Sequence, residues 1–220
     1  MRNSASFHRW NHQAPQAEQH LVFPDGCRDV LVVTQADGSV HTTLTPFDFR
    51  PRVADLLAGT KLAGYRLRPG AVLSAGALQA VSTSPGRVES IVADECGDWT
   101  DLDEAIMALT LPDATVAGVS RAAGVSIRTM QRCFLARGLP PPDYWRLLAR
   151  ARRAVGLLSS SDSLAAVASE SGYSDQAHLT RALTRWFGAT PAQLRRQTST
   201  LQILCQPALG NWTGEQISTR

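Results

Sequence analysis

The chain has 220 residues, 44% of them hydrophobic, and a formal net charge of +3. That is enough apolar material for two modest domains or one larger one, each with a real core. Four cysteines, Cys27, Cys96, Cys133 and Cys205, stand far apart with no CxxC pair, which predicts free thiols in a reducing compartment and no metal or cofactor. No window approaches eighteen apolar residues and the first twenty hold no apolar run, so the reading is a cytoplasmic protein, neither secreted nor membrane-spanning.

Charge is unevenly spread. Residues 1–100 hold nine basic and ten acidic side chains, whereas 112–198 hold twelve basic and five acidic. Every basic residue of that second stretch is arginine, and the chain's one lysine is Lys61. The arginine fork suits phosphate oxygens and guanine edges.

From residue 20, HLVFPDGCRDVLVVT places a Pro-Asp-Gly turn before the apolar run Val30–Val33, predicting a buried strand. Asp37-Gly38 then separates it from Ser39–Leu44, where Val40, Thr42 and Leu44 alternate with His41 and Thr43, a hairpin signal. Further short strands are predicted at Lys61–Leu67, Val72–Leu73 and Arg87–Val92. Phe47, Phe49 and Tyr65 read as core or pocket lining. Arg66 and Arg68 flank Leu67 and are expected to face outward together. His20, Asp25, Cys27 and Asp29 lie in or beside a turn without ligand spacing, so a structural or merely exposed role is expected. Residues 1–96 therefore read as a small β-rich domain for sensing or dimerisation. No nucleophile elbow, phosphate loop or HExxH run occurs, and no triad can be nominated, which argues against an enzyme.

Residues 97–197 read as an all-α domain. Leu102, Ile106 and Leu109 form an apolar stripe on a helix that Thr100 or Asp101 can cap. From Thr115 to Gly138 the pattern is helix, tight turn, helix: Val116 and Val119 face inward, Gly124 ends the first helix, Ser126 caps the second, and Met130 with Cys133 or Phe134 anchors it. The device recurs from Ser163. An offset of 48 pairs Val119 with Val167, Gly124 with Gly172 and Ser126 with Ser174; after the turn an offset of 49 pairs Met130 with Leu179, Arg132 with Arg181 and Phe134 with Leu183. Asp143–Leu158 connects the two units as a helix of roughly 24 Å, with Arg146, Arg150, Arg152 and Arg153 on several of its faces.

Helical periodicity sets Ile127, Arg128, Gln131 and Arg132 away from the apolar anchors of the first unit, and Asp175, Gln176, Ala177, Thr180 and Arg181 away from those of the second. These are the positions from which a recognition helix reads base edges. Ser126, Ser174 and Arg152 are candidate phosphate contacts. Asp175 either accepts from cytosine or stabilises its helix start, and His178 either faces DNA or packs inside the turn.

Residues 115–196 resemble the DNA-binding region of the AraC/XylS family of bacterial transcriptional regulators. The resemblance is carried by GVSxRTxQRxF at Gly124–Phe134, Gly138 with the following prolines and Tyr144, the Arg-rich linker through Leu158, SLxxVAxExGYSDQxHLTRAL, and GATPAQLRR at Gly188–Arg196. It implies seven helices and two recognition helices in successive major grooves on one face of DNA. The family's recognition positions fall at Ile127, Arg128, Gln131, Arg132, Asp175, Gln176, Ala177 and Arg181. Departures are Ser120 for a small Ala, Tyr173 for Phe, Leu179 and Leu183 for phenylalanines, and Ala177 for Ser or Gln. The first half resembles, less specifically, the β-rich amino-terminal region of some members, through Pro24–Gly26 and Gly64–Ala71.

The fold expected is thus α+β and multidomain: β-rich 1–96, a double helix-turn-helix 97–197 and a tail 198–220. The function expected is a sequence-specific regulator binding double-stranded DNA, working with RNA polymerase, open to a small-molecule effector and to homodimerisation, and without a membrane partner. The alternatives are an effector-independent DNA-binding protein with an amino-terminal scaffold, or a DNA-linked enzyme. A large apolar pocket with a few polar groups would favour sensing; a filled β core would favour the scaffold.

Overall fold

The structure is a computed structural model that describes residues 7–96, 98–206 and 208–209. Six strands come first: β1 (Phe7–Gln13), β2 (Glu18–Val22), β3 (Asp29–Thr34), β4 (Val40–Leu44), β5 (Arg52–Leu56) and β6 (Lys61–Leu67). They make an antiparallel sheet in the order β1-β6-β3-β4 and a separate antiparallel pair, β2-β5. The run Val30–Val33 is continuously apolar because β3 is central and covered on both faces. Val30 and Val32 pack with Tyr65 and Leu67 beneath two helices, α1 (Ala75–Thr83) and α2 (Val88–Cys96). Leu31 and Val33 turn the other way, with Trp10, Leu62 and Leu56. Trp10 stands opposite Gly64 in the register, and a Cβ on Gly64 would fall inside the indole.

Two strand expectations are corrected here. Arg87–Val92 begins α2, because Val88, Val92 and Cys96 recur every fourth residue and all are buried, the period of a helix face. Val72–Leu73 is a link, since the chain has already left the sheet at Pro69-Gly70 and runs to Ser74, the cap of α1. The outward expectation for Arg66 and Arg68 also fails. They do share a face, but that face is interior: Arg66 is paired with Asp25 and Asp29, and Arg68 with Asp103 and the carbonyls of Cys96 and Asp98. Asp25, Cys27 and Asp29 are all buried rather than exposed, and His20 is partly buried. Burial pushes the Cys27 thiol up to about 12.

The helical domain contains α3 (Asp101–Thr110), α4 (Val116–Ala122), α5 (Ile127–Ala136), α6 (Pro142–Leu157), α7 (Leu164–Glu170), α8 (Gln176–Phe187) and α9 (Pro191–Arg196), the seven helices that the resemblance implied. Thr100 caps α3 in a reciprocal box with Asp103. The axle is α6, whose Tyr144, Trp145, Leu148, Ala151, Ala154 and Val155 are buried among α3, α5, α7 and α8. A further helix, α10 (Thr198–Leu204), adds Leu201 and Leu204 to the same core, so the apolar start of the tail packs back on the domain. Pro207, Gly210, Asn211 and Trp212 lie outside the described residues.

The β-rich and helical halves share an aromatic seam. Phe23 joins the helical core beside Phe187, and Phe47 and Phe49 pack on Tyr144 with ring centroids 6.3 and 4.8 Å away. The Tyr144 hydroxyl donates to the Asp48 carbonyl at 3.0 Å; burial raises its pKa and keeps it a donor.

Candidate nucleic-acid interface

Each helix-turn-helix unit is built by the same local chemistry. In the first, Thr115 caps α4, Gly124 takes a left-handed φ of 69° that an L side chain rarely adopts, and the Ser126 hydroxyl accepts from the Thr129 N–H to start α5. In the second, Ser163 caps α7 and Gly172 has φ of 72°. The cap of α8, however, is Asp175, whose carboxylate accepts from the His178 N–H at 2.7 Å. Ser174 lies one residue earlier and bonds the Asp175 carboxylate and the His178 ring. The second turn is therefore one residue longer, and Ser126 matches Asp175 rather than Ser174.

This settles what the ambiguous residues touch. The cap N–H, first among several hydrogen bonds, holds Asp175 below the usual carboxylate range and places its charge at the helix start. His178 packs edge-on against Tyr173 with centroids 5.0 Å apart. The Thr180 hydroxyl donates to the Gln176 carbonyl within α8.

The anchors and the expected reading positions separate cleanly. Met130, Phe134, Leu179 and Leu183 are buried, while Ile127, Arg128, Gln131 and Arg132 on α5, and Gln176, Ala177 and Arg181 on α8, are exposed. Counted from the caps, Ile127 matches Gln176, Arg128 matches Ala177, Gln131 matches Thr180 and Arg132 matches Arg181. The α5 stripe continues to Leu135, an apolar side chain left 77% exposed. Sequence reasoning passed over it, although its spacing from Arg128 and Arg132 places it on their face.

The arginines of α6 are already engaged. Arg146 pairs with Asp143, Arg150 lies over the Tyr173 ring at 4.4 Å, and Arg153 donates to the Thr110 carbonyl. Arg152, a candidate phosphate contact in the sequence, points into the seam and donates to the carbonyls of Pro24 at 3.1 Å, Leu204 at 2.8 Å and Gln206 at 3.0 Å. Burial lowers its pKa, and those three acceptors hold the charge in place. Its partner Pro24 lies 128 residues away in sequence, beyond any local pattern.

Between the two sheets is a cavity of about 350 Å³, lined by Trp10, Val22, Leu31, Val33, Leu56 and Leu62 with His12, His20, His41 and Arg52 among its polar groups. That size and balance suit a small molecule. Among the described residues no helix is long and apolar enough to cross a membrane.

Two capped helix-turn-helix units thus pack around one axle helix. Residues 119–197, from within α4 to just past α9, match the family model described as "Helix-turn-helix domain". No curated protein sequence matches the chain significantly. Similar solved structures are those of ToxT from Vibrio cholerae. A 1.65 Å structure shares 9% identity over 87% of this chain and 98% of that chain, with a TM-score of 0.46. ToxT bound to an unsaturated fatty acid shares 10% over 89% and 97%, with a TM-score of 0.40. ToxT bound to (E)-4-(8-methylnaphthalen-1-yl)but-3-enoic acid shares 9% over 90% and 100%, with a TM-score of 0.44.

Proposed function

We propose that residues 97–197, braced by α10, bind a specific DNA site with α5 and α8 in successive major grooves, and that residues 1–96 sense a small molecule and report it across the seam. The observation that carries the DNA reading is the matched pair of capped helices, each with its anchors buried and a polar stripe exposed, set on one rigid helix of roughly 24 Å. Arg128, Arg132 and Arg181 are suited to guanine or phosphate, and Gln131 and Gln176 to adenine. Leu135 offers an apolar contact to a thymine methyl. Ser126 and Asp175 start the helices, and the backbone amides beside them favour phosphate. Ala177, opposite Arg128 in the repeat, leaves the second unit one reader short, so the two half-sites differ in sequence.

The effector reading is supported by the cavity: an open apolar space with a few polar groups is the mark of a ligand site rather than of a scaffold core. Its route to DNA is short, because Phe47, Phe49 and the Asp48 carbonyl rest on Tyr144 at the start of α6.

Genome-wide footprinting of the purified full chain identifies the site. Arg132→Ala and Arg181→Ala should each weaken binding to it by about 1–3 kcal/mol, roughly 5- to 150-fold, with the circular dichroism spectrum and melting temperature unchanged. Wild-type affinity in both variants would overturn the assignment of the reading face.

A further inference from the structure

Three side chains in the amino-terminal domain take no part in the DNA reading. His12 projects from β1, and Glu18 and His20 from β2, two residues apart and so on one face. One ligand atom from each lies within 4.8 Å of the other two. Both imidazoles bring Nε2 close to the same oxygen, Glu18 Oε1: His12 in direct hydrogen-bond contact and His20 at 3.1 Å. The rings meet edge to face, with centroids 5.0 Å apart and planes at 83°. The side chains of His12, Glu18 and His20 are only 20%, 25% and 31% exposed.

Hydrogen bonding alone leaves this cluster incomplete. His20 Nε2 is a buried nitrogen that makes no hydrogen bond, its approach to Glu18 being close but misdirected. Two imidazoles and one carboxylate converging on a point are instead the donor set of borderline transition metals. On a four-coordinate ion with bonds of about 2.0–2.2 Å, ligand atoms stand about 3.3–3.6 Å apart, which side-chain rotation can reach from the observed spacing. The carboxylate offsets half the charge of a divalent ion. Sequence spacing hides the set, because its members lie on two strands of different sheets.

We propose that His12, Glu18 and His20 bind one divalent transition-metal ion, Zn²⁺ in the first instance, with a coordination position left open on the side of the cavity that His12 and His20 line. The proposal rests on three side chains and stands whether or not the cavity takes an effector.

The test uses the full chain, stripped with a chelator and desalted, then titrated with Zn²⁺ by calorimetry and with Co²⁺ by visible absorption. The wild type should bind one equivalent of Zn²⁺, and bound Co²⁺ should show four-coordinate ligand-field bands that Zn²⁺ bleaches. Glu18→Gln and His20→Gln should each weaken Zn²⁺ binding more than about 100-fold, beyond the 10–100-fold typical of losing a group that only orients a ligand. His41→Gln, which lines the same cavity outside the trio, should leave it unchanged. Absence of stoichiometric binding, or wild-type affinity in folded Glu18 and His20 variants, would overturn the proposal. So would a thiolate charge-transfer band of bound Co²⁺, readable on the wild type alone, because it places the ion on cysteine.

Discussion

Arg152→Ala withdraws one guanidinium from three carbonyls: Pro24 in the β-rich half, and Leu204 and Gln206 behind α10. Hydrogen bonds to a charged donor contribute about 1.5–3 kcal/mol each. Water reaching the vacated space recovers part of the loss, so three of them do not add in full. A net cost of about 3 kcal/mol is expected, which for a chain of this size lowers the melting temperature by roughly 6–12 °C. The residue takes no part in phosphate binding on this reading. The slope of log affinity against log salt should therefore match the wild type, whereas loss of a true phosphate contact would flatten it by about 0.9. Calorimetric melting and fluorescence-anisotropy titrations over 50–200 mM salt measure both quantities on the same preparations. An unchanged melting temperature together with a flattened slope would refute the seam role and return Arg152 to the DNA surface.

Asp175→Ala should lower the melting temperature while Asp175→Asn, which can still cap, should lower it less. Because the folded-state pKa of Asp175 is depressed, its contribution is full above the ordinary value of 3.8 and is lost as pH falls through the lower folded value; melts at pH 7 and pH 3 check the convergence of wild type and Asp175→Asn. Gly64→Ala drives a methyl into Trp10 and should cost about 1–3 kcal/mol, with a shifted tryptophan emission as the local readout; a wild-type melt and spectrum would contradict the register. Iodoacetamide at pH 8 should label exposed Cys133 and spare buried Cys27 and Cys96, since burial holds the Cys27 thiol at about 12; mass spectrometry of the native protein reads the pattern, and early labelling of Cys27 would contradict it.

The helical half was legible because its signals are local. Gly124 and Gly172 mark turns, Thr100 and Ser126 mark caps, and the spacing of Met130, Phe134, Leu179 and Leu183 marks the inward faces. The β-rich half was legible only where a turn residue and an apolar run adjoin, as at Asp37-Gly38 beside β3 and β4. Strand β2 hid because its pattern is inverted. Polar Glu18 and His20 face the interior, while Leu21 and its partner Val53 on β5 stand 51% and 53% exposed. Strand β1 hid because half-buried His8 and His12 flank Trp10 on its inward face, so that face reads as polar. On α5 and α8 the exposed faces followed from periodicity, but Arg152 and the buried Arg66 and Arg68 did not. Their partners are 28 to 128 residues distant, and charge in a local pattern reads as solvent-facing until the covering element is known.

The extra residue in the second turn sets the rule for exchanging specificity between the two units. A helix advances about 100° per residue, so an alignment held at an offset of 48 would set Gln131 on the buried Leu179 and Met130 on His178, mixing the exposed stripe with the anchors. Threaded from Ser126 and Asp175 instead, Arg128 falls on Ala177, a small exposed position able to accept the longer side chain. Chimeras of the two half-sites should therefore be spliced at the caps, downstream of the glycines, where one module can be copied onto the other without rotating its face.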